Sequence, residues 1–152
     1  MKIVSMENGW IFAKYKLDNK EYGVQGSNLF GYNIIEEILS MMYSFLRDEE
    51  QQKFIIWDQE SDYYVCEYLN DSGNIKMKLY YCSEVCDESV ISQEKFKLEQ
   101  MDVIFTEIRD LWSWSKEMYG DIRKLYSENK NDKMNSDCIK ELIDKLGYFY
   151  KI

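Results

Sequence analysis

Histidine and proline are both absent from this chain of 152 residues. The missing imidazole removes the commonest general base and the commonest metal ligand. It also leaves any nucleophilic cysteine without its usual partner. Glycine is scarce, at seven residues, and builds no phosphate-cradling loop: "GVQG" lacks the Lys-Ser/Thr that such a loop requires. No G-x-S-x-G or S-x-x-K run is present. No apolar run reaches transmembrane length, and "MKIVSMENGWIF" lacks the long apolar core of a signal peptide. The cysteines Cys66, Cys82, Cys86 and Cys138 are therefore expected as free thiols in a reducing, cytoplasmic setting. A four-thiolate zinc site would have to combine Cys82-x-x-x-Cys86 with Cys66 and Cys138. That spacing matches no common knuckle pair, so core or edge cysteines are expected, with no metal and no cofactor.

What the chain does have is acid and aromatic surface. Apolar residues make up 45% of it, enough for one domain spanning residues 1–152 with its own core. Aromatics reach 16%, with thirteen Tyr and four Trp, a load that feeds cores and protein interfaces alike. The net charge is −9, and it is uneven. Residues 36–110 carry eighteen acids against seven bases, whereas the segments before and after are each at +1. Nucleic acid and anionic membrane are poor partners for such a surface, and a basic protein is a good one. The abundance of Lys, Asn, Ile and Tyr fits an AT-rich bacterial genome.

Periodicity gives a coarse architecture. "MKIVSM" and "WIFAKYKL" read as strands around the Asn8-Gly9 turn, and "EYGVQG" follows the turn "DNK" as a third. "NIIEEILSMMYSFL" is predicted as a helix capped by Asn33, with Ile34, Ile35, Ile38, Leu39, Met42, Phe45 and Leu46 on one face. The acidic tract Asp48-Glu49-Glu50 ends it, a poor choice for a helix C-terminus, which favours cations. "KFIIW", "YYVCEYL" and "IKMKLYYC" are three further strands, the last two joined by "NDSGN". Residues 83–95 read as a loop or edge strand. Residues 98–128 read as helical, with Met101, Ile104, Phe105, Ile108, Leu111, Trp112, Met118, Tyr119, Ile122 and Leu125 as a wide apolar stripe and Gly120 kinking or splitting the helix. "NKNDKMNS" is a loop. Asp137 is expected to cap a last helix that Gly147 stops. The predicted class is α+β: a mostly antiparallel sheet of five to six strands, one helix between the N-terminal and central strands, and two C-terminal helices packed on the sheet.

Two acidic constellations are candidate contact groups. In "WDQESDYYV", Asp58, Glu60 and Asp62 alternate with polar residues. The start resembles a calcium loop, but Tyr63 and Leu69 stand where that loop needs Gly and Glu. A polar turn between strands and a loop gripped by a protein both remain open. Further on, Glu107, Asp110, Trp114, Glu117 and Asp121 follow each other at helical spacing. They are expected to form one acidic ridge with Trp114 at its centre, partly offset by Arg109 and Lys116. A Trp among carboxylates suits a basic partner, whereas a single Trp also suits a core.

Pieces such as "FIIWDQESDYYVCEYL" and "EIRDLWSWSKEMYG", in a small acidic α+β chain rich in Tyr and Trp, resemble the immunity proteins of bacterial toxin–immunity systems, including contact-dependent growth inhibition. The "L-P-x-x-Y" core of one large immunity superfamily is absent, since there is no Pro. The resemblance implies stoichiometric inhibition of a cognate toxin, often a basic nuclease, and no catalysis. Partner contacts are then expected at Asp58, Glu60, Asp62, Asp110, Trp114, Glu117 and Asp121, and across residues 48–62 and 84–88. Two rival readings stand beside it: a small-molecule binder or enzyme with an apolar pocket, and a self-associating adaptor.

Overall fold

A computed structural model of the chain describes residues 1–27, 32–92, 97–129 and 136–151. It opens with an antiparallel meander of β1 (Lys2–Glu7), β2 (Trp10–Leu17) and β3 (Lys20–Ser27). Asn8 and Gly9 have φ of 52° and 83°. A tight hairpin turn needs such left-handed values at both central residues, and Asn-Gly is the pair that best accepts them. Ile3, Ile11, Ala13, Tyr15 and Val24 point into the core, while Val4, Phe12, Lys14 and Gln25 lie on the opposite face.

Helix α1 (Ile34–Leu46) follows, and the side chain of Asn33 accepts from the amides of Ile35 and Glu36, as predicted. Ile34, Ile35, Ile38, Leu39, Met42 and Phe45 are buried along its inner face. Then come β4 (Gln52–Asp58), β5 (Tyr63–Asp71) and β6 (Asn74–Cys82), joined by tight turns. Ser72 and Gly73, in the second turn, again have left-handed backbones.

The α+β class holds, but two details differ from expectation. Among the described residues there are seven strands rather than five or six, and they form two sheets rather than one, of order β1-β2-β3 and β4-β5-β6-β7. The additional strand is β7 (Asp102–Asp110), which lies where the sequence suggested helix. In "DVIFTEIRD", apolar residues fit both a helical and a strand period, and such runs are ambiguous from periodicity alone. The open edge of β6 decides the matter: Phe105 pairs with Leu79 and stacks in the core on Tyr15 and Tyr22, with ring centroids 5.0 and 5.8 Å away.

Helix α3 (Leu111–Glu128) therefore starts late. It runs unbroken through Gly120. Helix α4 (Asp137–Tyr150) is capped by Ser136 rather than Asp137 and continues past Gly147. An added Cβ at Gly147 would lie 3.1 Å from the Tyr119 hydroxyl, so a small residue there lets α3 and α4 close on each other. Residues 83–95 contain a short helix, α2 (Glu88–Ile91), rather than an edge strand; residues 93–95 of that segment, and 130–135 of the predicted loop "NKNDKMNS", lie outside the described residues.

Two clusters hold the fold. In the larger, α3 packs on β1, β6 and β7, α1 packs on β4, and α4 closes over α1 and α3. The smaller lies beneath the other face of the four-stranded sheet: Ile56, Tyr63, Val65 and Tyr80 meet Cys86 and Val90 from the α2 segment. Burial on both faces explains why β4 and β5 read as nearly continuous apolar runs. The two sheets meet at Gly26 of β3. A Cβ there would run into Ile34 Cδ1 and come within 3.3 Å of the Trp57 ring.

Candidate protein-binding site

The four-stranded sheet has two acidic ends. At one end lie the α1–β4 connection, the β5–β6 turn and the β7–α3 junction. Asn74 pairs across the sheet with both Asp71 and Asp110, and the Asn70 amide donates to Gln51 O (2.8 Å), so these three connections converge. Between them is a groove of about 460 Å³ lined by Phe45, Leu46, Asp48, Asn70, Gly73, Asp110, Leu111 and Trp112. Its base is apolar. Trp112 is 46% exposed and rests on Tyr150, with ring centroids 5.3 Å apart.

Local structure explains how the acids arrive there. The Asp48 amide donates to Phe45 O and the Glu49 amide to Ser44 O. This is the two-bond closure of a helix C-terminus in which the residue after the cap takes the left-handed conformation. Asp48 takes it, with φ of 58°. On the far wall, Asp110 caps α3 by accepting from the Ser113 amide at 2.8 Å. That bond, helped by the Ser113 hydroxyl, holds the Asp110 carboxyl below its ordinary range. Among the described residues, Asp48, Glu50, Asp71 and Asp110 take part in no ion pair; Arg47, the nearest cation in sequence, is held by Glu49 (2.6 Å) and the Tyr43 hydroxyl (3.0 Å).

The β4–β5 turn, with "WDQESDYYV", sits at the opposite end, and its carboxylates are mostly consumed within the fold. Asp58 is 3% exposed and accepts from the Ser27 hydroxyl and the Glu60 amide, both at 3.0 Å. Asp62 accepts from Gln59 Nε2, the Ser61 hydroxyl and the Tyr81 hydroxyl, the last at 2.8 Å. The bond to Asp62 in turn pushes the Tyr81 phenol up. Glu60, in a left-handed backbone, is exposed, and Asp62 is half-buried. The stretch is a polar turn that locks the two sheets together through Ser27 and Asp58.

The expected acidic ridge does not form. Glu107 belongs to β7, and Asp110 is the cap of α3 rather than part of its side. Trp114 is wholly buried, with its ring 5.7 Å from that of Tyr68. Glu117 forms a two-bond pair with Arg109 at 2.8 and 2.9 Å. Asp121 is half-buried, and burial raises its carboxyl while Lys2 opposes the rise. Trp112 and Trp114 have thus exchanged their expected places. With the helix starting at Leu111, its inward stripe is Leu111, Trp114, Met118, Ile122 and Leu125, an unbroken series at spacings of three and four. That series was present in the sequence, hidden by extending the helix back through 98–110.

A second groove, of about 310 Å³, lies on the uncovered face of the three-stranded sheet, between Val4, Phe12, Gly23 and Gln59. Among the described residues no three His, Cys, Asp or Glu side chains group as a metal site. The cysteines are free; burial raises the thiol of Cys66 to about 11 and that of Cys86 to about 12, with Asp58 adding to the second shift. No helix among the described residues is long and apolar enough to cross a membrane. Compared with known proteins, the chain matches no family model, no curated protein and no solved structure.

Proposed function

We propose that the protein is an immunity-type inhibitor that binds a basic toxin domain one to one, with contacts centred on the groove around Trp112. One observation carries this reading: carboxylates from two connections far apart in sequence, Asp48 and Asp110, share one groove with a half-exposed Trp and, among the described residues, pair with no cation. Opposed charge would speed the encounter, and a desolvated aromatic would slow dissociation. Of the residues named from the sequence, Asp110 stays in the contact surface and Glu60 stays as a peripheral charge. Asp48 joins the contact surface from the expected segment 48–62, and Trp112 takes the place of Trp114.

The test is capture of proteins from the organism's own lysate, followed by association kinetics with whatever is retained. A basic protein held at one-to-one stoichiometry, and released at least tenfold faster by Trp112→Ala, supports the reading. A partner that binds with unchanged kinetics to Trp112→Ala and to the Asp48→Asn/Asp110→Asn pair removes this surface. The groove by Gly23 favours a second reading, a small-molecule binder. There a Cβ at Gly23 meets nothing within 4 Å, so Gly23→Ala would narrow the groove without a clash and should weaken any small molecule bound there.

A further inference from the structure

We propose that the groove at Trp112 is a socket for a single arginine side chain presented by the partner. The inference rests on the protein-binding reading above and names what that surface grips. Its starting point is a pair of local choices at the end of α1 that work against the fold. The residue after a helix cap, in left-handed backbone, is ordinarily Gly. The last turn of a helix and the residues just after it ordinarily carry cations, because the helix dipole ends there in partial negative charge. Here the left-handed position holds Asp48, Glu49 and Glu50 follow it, no basic residue lies in the last turn of α1, and the C-cap Arg47 is held by Glu49 and the Tyr43 hydroxyl. Natural chains break local rules chiefly where function requires it.

The groove supplies the rest of a guanidinium site. Phe45, Leu46 and Leu111 offer an apolar base for a three-carbon stem. Asp48, one oxygen of which accepts from Gln51 Nε2 at 2.6 Å, and Asp110 line it, and the exposed ring of Trp112 offers a face for stacking. The positive end of α3 reaches the same groove, but Asp110 already occupies it through the Ser113 amide. The charge that remains is therefore negative. Lysine would satisfy the charge alone. A planar guanidinium can also stack on the indole and donate in its own plane to carboxylates on either side, and it sheds water more easily than an ammonium.

The experiment uses the intact ¹⁵N-labelled protein titrated with three blocked tripeptides, Gly-Arg-Gly, Gly-Lys-Gly and Gly-citrulline-Gly. The expected result is a saturable shift of the Trp112 indole N–H and the Gly73 amide with the arginine peptide, at least threefold weaker with lysine and absent with citrulline. Asp48→Asn retains the left-handed backbone and should weaken the arginine response at least threefold; Trp112→Ala should abolish the Gly73 shift. Equal responses to arginine and lysine, or shifts that never saturate, overturn the socket. The two readings fail separately. If the Asp48→Asn/Asp110→Asn pair slows association with a captured partner yet no peptide shifts Trp112, the surface stands and the socket falls. If the peptide saturates the groove and no partner is retained from lysate, the socket stands and the inhibitor falls.

Discussion

The two acidic ends of the four-stranded sheet are built from the same residue types and do opposite things. At the β4–β5 turn, three carboxylates in five residues look like a charged probe in the sequence. Asp58 and Asp62 are instead satisfied by Ser27, the Glu60 amide, Gln59, Ser61 and Tyr81, and Glu60 is the one fully exposed carboxylate of the three. At the far end the acids are scattered along the chain, at Asp48, Asp71 and Asp110, and the fold collects them. Local density of charge is thus a poor guide to exposed charge. A carboxylate next to hydroxyls and amides in a tight turn is easily absorbed by them. At the shared rim Asp48 accepts from the Gln51 side-chain amide and Asp110 from Ser113, yet both stay exposed and pair with no cation among the described residues.

The comparison is broken most forcefully at the two tryptophans of α3. Trp114→Ala should cost about 3–5 kcal/mol, since it empties a fully buried site. Trp112→Ala should cost no more than about 1 kcal/mol, because it loses chiefly its stacking on Tyr150. Urea unfolding of both variants measures the gap; similar losses would mean that the helix phase is wrong. Next in size are the aspartates. Asp58→Ala removes the acceptor of the half-buried Ser27 hydroxyl and of the Glu60 amide, and should cost about 1–3 kcal/mol. Asp48→Gly should have the opposite sign, stabilising by up to about 1 kcal/mol as the left-handed strain is relieved, while partner binding weakens.

The smallest effect is one of pH. The folded-state carboxyl of Asp110 titrates below its ordinary value of 3.8. A group with a depressed folded pKa contributes stability above the unfolded value and loses it as pH falls through the folded one. The stability difference between the natural chain and Asp110→Ala should therefore be full at neutral pH and shrink only below about pH 3.8. Asp110→Asn, which retains a capping oxygen, should remove that pH dependence while keeping the helix start.

Much of this molecule was legible beforehand, for identifiable reasons. The first helix announced itself through Asn33 and a clean apolar stripe, and the hairpins through Asn8-Gly9 and Ser72-Gly73. Residues 102–110 misled because Ile104, Phe105 and Ile108 satisfy a helical spacing, while the deciding fact, the open edge of β6, is a property of the sheet. That single error moved the start of α3 and exchanged the roles of Trp112 and Trp114. The warning at Asp48 was visible as an acid run after a helix, although its left-handed backbone was not. Asp58 could not be foreseen as buried, because its partner Ser27 lies on the other sheet.

The convergence of three connections at the groove also has a consequence in time. Phe45 and Asp48 emerge early in synthesis, Gly73 later, and Trp112 only after β7 is complete. No nascent fragment ending before α3 owns the full rim, and a one-residue slip of β7 along β6 would reverse which face each of its side chains takes. If the groove binds a partner as proposed, competence to bind is a certificate of correct assembly. Truncated, misregistered or partly unfolded copies would lack it, and only finished molecules would compete for such a partner.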